Sequence, residues 1–302
     1  MRDRELIADL RGRLTEAGLS GSFLVRNLDT GQEIALDPDV VYPIASLVKV
    51  PLAIAVLDQI RLGRLDGARQ LAITPDPDPG SAAPPVGIGR FTHPARIAID
   101  DLVYLAVSIS DSAAADALFA LVPPTEVDRV LTDAGIKGIA VRHQMRDLLN
   151  VFGTEPGPEG LHLAHALAIG ARTPGGGHPV ASLDVSRANT GTARALADLL
   201  QALWTPSALH PRVAARVRAL MRDGVLQRRL GPDFISDATG WASKSGTLLN
   251  LRHDAGVVEH EDGETYAVVA LTESAVPADA QPAVDAVIGR VARALHDHLR
   301  GL

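Results

Sequence analysis

Three lysines occur in this 302-residue chain, Lys49, Lys137 and Lys244, and arginine carries nearly all the other positive charge. The distinction matters because a lysine can lose its proton and act as a base, whereas an arginine stays protonated. Lys49 closes the tetrad Ser46-Leu47-Val48-Lys49. On a helix, positions i and i+3 share a face, so the hydroxyl and the amine can meet. Serine is a poor nucleophile until a base takes its proton. For Lys49 to be that base, its pKa must fall from about 10.4 towards 7, roughly 4 kcal/mol of disfavoured charge. Burial and a second nearby cation supply such a shift. A serine at a helix start and a solvated lysine would account for the tetrad equally well, so it needs companions.

Two companions follow in the chain. Ser110-Asp111-Ser112 lies between two apolar helical runs. A break there can aim the Ser110 hydroxyl into a cleft, although Ser and Asp also cap helices. Lys244-Ser245-Gly246-Thr247 stands just before the C-terminal strands, where Gly246 would admit a close backbone approach by a substrate and Lys244 would supply the second cation. Two of the three lysines therefore fall in paired motifs.

S-x-x-K, then S-D-N, then K-T/S-G is the motif set of the class A serine β-lactamase and penicillin-binding-protein superfamily, and this chain resembles it. Tyr42 to Leu52 is similar to the family's nucleophile helix, and Ser110 to Asp116 to its second motif with the following helix. The resemblance runs from end to end. It implies that Ser46 attacks a carbonyl to form an acyl-enzyme, with Lys49 as general base or water-positioning group. Ser110 would pass the proton to the departing amine and Lys244 would supply positive charge. The backbone N–H groups of Ser46 and Thr247 would form the oxyanion hole, stabilising charge that develops in the transition state. Ser112, Ser245, Gly246 and Thr247 would contact substrate, Thr247 through a substrate carboxylate, and Arg252 is a further candidate for that carboxylate.

The sequence departs from the family in two places. Ser112 stands where the second motif has Asn and offers a hydroxyl in place of an amide, which puts recognition of an acylamino side chain in question. Class A β-lactamases also carry a Glu, in an E-x-x-L-N pattern, that activates the deacylating water. Here Arg146-Asp147-Leu148-Leu149-Asn150 is the best match and places Arg146 at the Glu position. Arginine cannot be a base. Asp147 and Asn150 are candidates for the deacylation loop, with His143 and Glu155 behind them. Acylation is expected to be intact, with weak β-lactam turnover and a long-lived adduct. The alternatives are an acylable but catalytically impaired penicillin-binding module, or an esterase or D-Ala-D-Ala peptidase-like acyltransferase.

The elements that must position these groups are legible in outline. Leu6, Leu10 and Leu14 recur at helical spacing. Residues 22–28 and 32–36 around Asp29-Thr30-Gly31 form a β-hairpin signal, as do residues 253–259 and 265–272 around Asp262-Gly263. Helices are expected at 46–62, 100–121, 192–204 and 211–221, and a last one through Val284, Val287, Ile288, Val291 and Leu295, while 153–182 is rich in Gly and Pro, interrupted by an Ala/Leu-rich stretch at 161–171. Two short strands cannot bury a face alone. One antiparallel sheet built from both termini, flanked by the first and last helices and carrying an inserted helical subdomain, solves this and is the β-lactamase/transpeptidase-like fold. The expected division is 1–43 with 232–302 as a discontinuous α/β domain and 44–231 as a helical domain, with the active site in the cleft between them.

Composition narrows the partners. Apolar residues make up 46% of the chain, enough for a core, and the formal charge of -7 argues against nucleic acid. Cysteine is absent, which excludes disulfides and a thiol nucleophile. His162-x-x-His165 and His296-Asp297-His298 lack the partners of a metal site and read as structural. Gly87-x-Gly89 follows no strand and is no nucleotide fingerprint. Phe91 is a candidate cleft wall. The expected ligand is a small β-lactam, ester or peptide-like molecule, with no cofactor, metal or membrane partner. No apolar leader core precedes Leu6, so a cytoplasmic location is expected, or secretion if a leader has been removed. The sequence leaves the oligomeric state open.

Overall fold

A computed structural model describes residues 3–74, 86–148, 158–171, 173–236, 238–276 and 281–302. Helix α1 (Asp3–Glu16) buries Leu6, Leu10 and Leu14, the stripe its spacing predicts. Strands β1 (Leu19–Asn27) and β2 (Glu33–Leu36) form the first hairpin, in a register from Phe23↔Leu36 to Arg26↔Glu33. The Asn27 side chain makes the turn by accepting from the N–H groups of Asp29 (2.9 Å) and Thr30 (3.0 Å). This is the local hydrogen bonding for which Asn is favoured in turns.

Three long strands close the chain: β7 (Thr239–Leu248), β8 (Leu251–His260) and β9 (Thr265–Ser274). They join the hairpin in one antiparallel sheet of order β2-β1-β9-β8-β7. The joint is β1 against β9, paired from Leu19↔Ser274 to Asn27↔Tyr266. The sheet is thus assembled from both termini. Helix α10 (Pro282–Arg300) buries Ile288, Val291 and Leu295. Together with α1 it covers one face over a core that includes Phe23, Val25, Tyr266 and Val268.

The other face carries the helical part. It holds α2 (Lys49–Arg61), α3 (Ile99–Ser108), α4 (Ser112–Phe119), α5 (Pro124–Asp133), α6 (Pro158–Gly170), α7 (Ala193–Trp204) and α8 (Pro211–Arg222). A short helix, α9 (Gly231–Phe234), precedes β7. Between Lys49 and Leu57 every residue of α2 is buried, which is how a helix apolar all round must sit. Three two-ended details escaped the sequence pattern: the bridges of β3 (Tyr42–Pro43) to β6 (Thr190–Gly191) and of β4 (Gln70–Ile73) to β5 (Ala95–Ala98), and helix α5. Among the described residues, no helix is long and apolar enough to cross a membrane.

Two expected helices are broken where the chemistry lies. The run expected from residue 46 opens instead as a 3-10 turn, Ala45–Val48, and α2 starts only at Lys49. The run expected over 100–121 splits at Ile109–Asp111 into α3 and α4, and Ser110 adopts φ +63°.

Candidate active site

Ser46 is half-buried in the Ala45–Val48 turn, directly after Ala45 at φ +46°. Left-handed backbone at a non-glycine costs on the order of 1–3 kcal/mol and collects where surrounding structure over-determines it. Ser110 at φ +63° is another case, so both hydroxyl-bearing corners of the site are strained; Asp37 and Leu249 are the other non-glycine cases among the described residues. Asp111 holds the Ser110 corner. It is buried, and its carboxylate accepts from Ala114 N at 3.0 Å as the cap of α4 and from Ile88 N at 2.5 Å. A Cβ at Gly87 would collide with that carboxylate, so this loop requires glycine there.

The structure brings the three motifs together around one hydroxyl. Lys49, completely buried, donates to the Ser110 carbonyl (2.6 Å), Ser112 Oγ (3.1 Å) and Ser110 Oγ (3.4 Å). Lys244 donates to Ser110 Oγ at 2.8 Å and to the Ser245 carbonyl at 2.9 Å. Two lysine amines therefore share Ser110 Oγ. Burial pushes the Lys49 amine down to about 7 against the pull of Asp111 and Asp116. Lys244 is held well below the usual amine range by burial and then by repulsion from Lys49, which Asp254 partly offsets. These are the two causes, desolvation and a like charge, that make an amine available as a base near neutral pH. Ser112 takes part as an acceptor for Lys49, a role a hydroxyl can fill as an amide oxygen would.

Other expected site residues sit differently. Lys244 and Gly246 lie on the edge strand β7, a run with no apolar alternation to announce it. Gly246 does permit a close approach, but by the nucleophile turn: a Cβ there would meet the Ile44 carbonyl at 2.9 Å and Leu47 Cγ at 3.2 Å. Ser245, buried and in register with Asp254, lies by strand alternation on the face opposite Lys244, the face that Thr247 shares. Arg252 is 2% exposed and donates to the carbonyls of Leu249 (2.7 Å) and Leu251 (2.9 Å), so it secures the β7–β8 turn. Arg229 reaches Thr247 instead. Its guanidinium donates to Thr247 Oγ1 at 2.8 Å and to the His253 carbonyl at 2.8 Å, backed by Asp285 at 3.1 Å. Thr247 itself is exposed. Phe91 is 42% exposed, beside the turn that carries Gly87.

Of the deacylation candidates, Asp147 and His143 are engaged by nearby backbone. Asp147 is exposed and accepts from Gln144 N at 3.1 Å, closing the turn that carries it. His143 is held by backbone at both nitrogens, with Gln144 O at 2.8 Å and Asn189 N at 3.0 Å. Asn150 and Glu155 lie outside the described residues. The Arg146–Leu148 turn is pinned by Asp116, which accepts from Met145 N (2.7 Å) and Arg146 N (2.9 Å). Burial raises the Asp116 carboxyl above its ordinary range. Sequence reasoning missed Asp116, Arg229 and His253; none stands in a spacing that singles it out. Among the described residues, no group of three or more His, Cys, Asp or Glu is placed to hold a metal.

A sheet edge carrying Lys-x-Gly, set against a Ser-x-x-Lys turn and a bridging serine, defines the serine β-lactamase superfamily. The chain matches the β-lactamase enzyme family over residues 5–299 and belongs to it. It is 52% identical, over 99% of both chains, to the β-lactamase regulatory protein BlaB of Streptomyces cacaoi. Its fold is similar to a β-lactamase from Sphaerobacter thermophilus, with TM-score 0.75 and 21% identity over 100% of this chain and 99% of that one. It is also similar to PBP-A, with TM-score 0.74 and 21% identity over 99% and 97%.

Proposed function

We propose that this protein is a serine acyl-transfer regulator: Ser46 takes an acyl group from a β-lactam and keeps it long enough to signal. The observation that carries the reading is the Ser110 hydroxyl shared by two buried lysines. Lys49 withdraws the Ser46 proton as Oγ bonds the lactam carbonyl. The C–N bond then breaks, and the proton passes through Ser110 to the departing nitrogen. Lys244 offsets the negative charge, and the N–H groups of Ser46 and Thr247 receive the oxyanion. Thr247 and Arg229 hold the substrate carboxylate, in the cleft between the sheet domain and the helical domain.

Slow release is supported by Arg146 at the position of the family's Glu and by Asp147 facing Gln144 N. Loss of a general base typically costs about 10²- to 10⁴-fold. An adduct that outlasts its formation suits a sensor better than a defence enzyme, and the 52% identical relative is named as a regulatory protein.

Intact mass spectrometry after exposure to benzylpenicillin tests this. One adduct per chain is expected within minutes, persisting for hours and absent in Ser46→Ala. Absence of any adduct, or nitrocefin turnover on the order of 10² per second, the ordinary range of efficient enzymes, overturns it.

A further inference from the structure

His253 lies on β8, completely buried, with both ring nitrogens committed to backbone. Thr272 N donates to Nδ1 at 3.0 Å, so Nδ1 carries the lone pair. The ring proton is then on Nε2, which donates to the Pro43 carbonyl at 2.8 Å. Only this tautomer satisfies both partners. The other would set donor against donor, and an imidazolium would leave the Thr272 N–H without an acceptor. Burial pushes the imidazole down to about 3, so the ring stays neutral across the ordinary pH range.

Pro43 is where the nucleophile segment begins. It ends β3, two residues before the left-handed Ala45 and three before Ser46. Proline has no N–H, so its carbonyl is what the sheet can grip. The register partner of His253 is Gly246, which packs on the Ile44 carbonyl. The Tyr42 ring meets the imidazole edge-on, with centroids 6.1 Å apart. The segment 42–47 is thus held from one side by the His253–Gly246 pair and from the other by the short bridge of β3 to β6. A strained backbone persists only where its surroundings hold it.

We propose that His253 is a positioning residue for Ser46: through the Pro43 carbonyl, its Nε2–H sets where the Ser46 hydroxyl and N–H stand relative to Lys49 and the β7 edge. The inference rests on Ser46 as the nucleophile. It gives His253 no contact with substrate.

Two substitutions separate the halves of the bridge. His253→Asn keeps an acceptor near Nδ1 and loses the donor to Pro43. His253→Gln keeps a donor near Nε2 and loses the acceptor for Thr272 N. Both remove one hydrogen bond from the same buried site, so a merely structural role would give both the same acylation rate per folded molecule. The expected result is that H253N slows the acylation step by about 10- to 100-fold with pre-covalent affinity for benzylpenicillin little changed, the cost of misplacing a reacting group by about 1 Å. H253Q stays close to wild type. Hydrogen exchange of the 42–48 amides should rise in H253N and not in H253Q. Equal behaviour of the two variants in both measurements overturns the proposal. If the wild type takes no adduct, the reading of Ser46 fails, while the exchange contrast still decides the role of His253. If neither variant folds, 15N NMR of the wild-type ring decides it: the Nε2–H tautomer supports the proposal and the Nδ1–H tautomer overturns it.

Discussion

Two clusters of basic groups, each built around a completely buried side chain, lie on opposite sides of the sheet, and they are solved differently. On the α10 side, His296 is completely buried and stacks on His260 with ring centroids 5.0 Å apart. A single chain of donors runs through it. Arg300 Nη1 donates to His260 Nδ1 (3.2 Å), His260 Nε2 to His296 Nε2 (3.0 Å), and His296 Nδ1 to Asp297 Oδ1 (2.9 Å). Every proton has one place to be. On the helical side, Lys49 and Lys244 converge on one Ser110 hydroxyl; burial lowers Lys49, and burial followed by repulsion from Lys49 lowers Lys244. Burial of titratable groups is common to both clusters. What separates them is that two amines share one acceptor on the helical side, whereas on the α10 side each donor has its own acceptor.

The largest effect expected from this contrast is at Lys49. Lys49→Met should slow acylation by about 10²- to 10⁴-fold, the weight of a general base, while the thermal midpoint rises because a desolvated amine is gone. A fall in stability without loss of acylation would break the comparison. The converse is expected at His296. His296→Phe strands the His260 N–H and takes one donor from Asp297, which Arg293 still holds at 2.6 Å, and should cost about 1–3 kcal/mol of stability. Its acylation rate should match wild type in a stopped assay of the folded protein.

The pH dependence sharpens the same contrast. Lys49 acts as a base only when neutral, so the acylation rate should rise through about pH 7 and level off above it. Because its folded pKa lies below its unfolded value, the folded state binds fewer protons between about 7 and 10.5, and Lys49's burial penalty eases as pH rises through that window. His260 and His296 are both lowered, chiefly by burial. The folded state therefore resists their protonation, and stability should fall as pH drops below the ordinary histidine range of about 6.5. Thermal melts of wild type and His296→Phe across pH 5–8 should show a shallower acid slope in the variant; parallel slopes would sink the assignment. The smallest effect is at Asp147. Its exposed carboxylate closes a turn, so Asp147→Asn should change adduct lifetime by less than about twofold, within the range of surface substitutions. A tenfold longer lifetime, read by mass spectrometry, would restore it as a deacylating group.

Much of the fold was legible because its signals are local. Leu6, Leu10 and Leu14 mark α1 by spacing alone, and Asp262-Gly263 marks the last hairpin because a tight turn needs the positive φ that Gly263 adopts, +94°. β7 was not announced as a strand: Thr239 to Leu248 mixes Gly, Lys and Ser on an edge where one side chain row faces the nucleophile turn. The break at Ser110 was suggested by its place between two apolar runs, whereas the delayed start of α2 was hidden, since nothing in the spacing separates Ser46 from the helix that follows. The Asp111 contacts to Ile88 and Ala114, with the Lys49 bond to the Ser110 carbonyl, hold the Ser110 corner.

By itself, the sequence determined the chemistry on offer: a serine three residues before one of three lysines, a second serine, and a second lysine beside a glycine. Those are statements about residue type and order, which a chain carries without folding. The tertiary structure decided which of them matter and in what state. It set Lys49 and Lys244 on one hydroxyl, engaged Arg252 with the carbonyls of Leu249 and Leu251, brought Arg229 to Thr247, and bonded the Pro43 carbonyl ahead of Ser46 to His253. The physical reason is that a proton's affinity and a side chain's reach depend on burial and on neighbours distant in sequence, and only the folded chain supplies these.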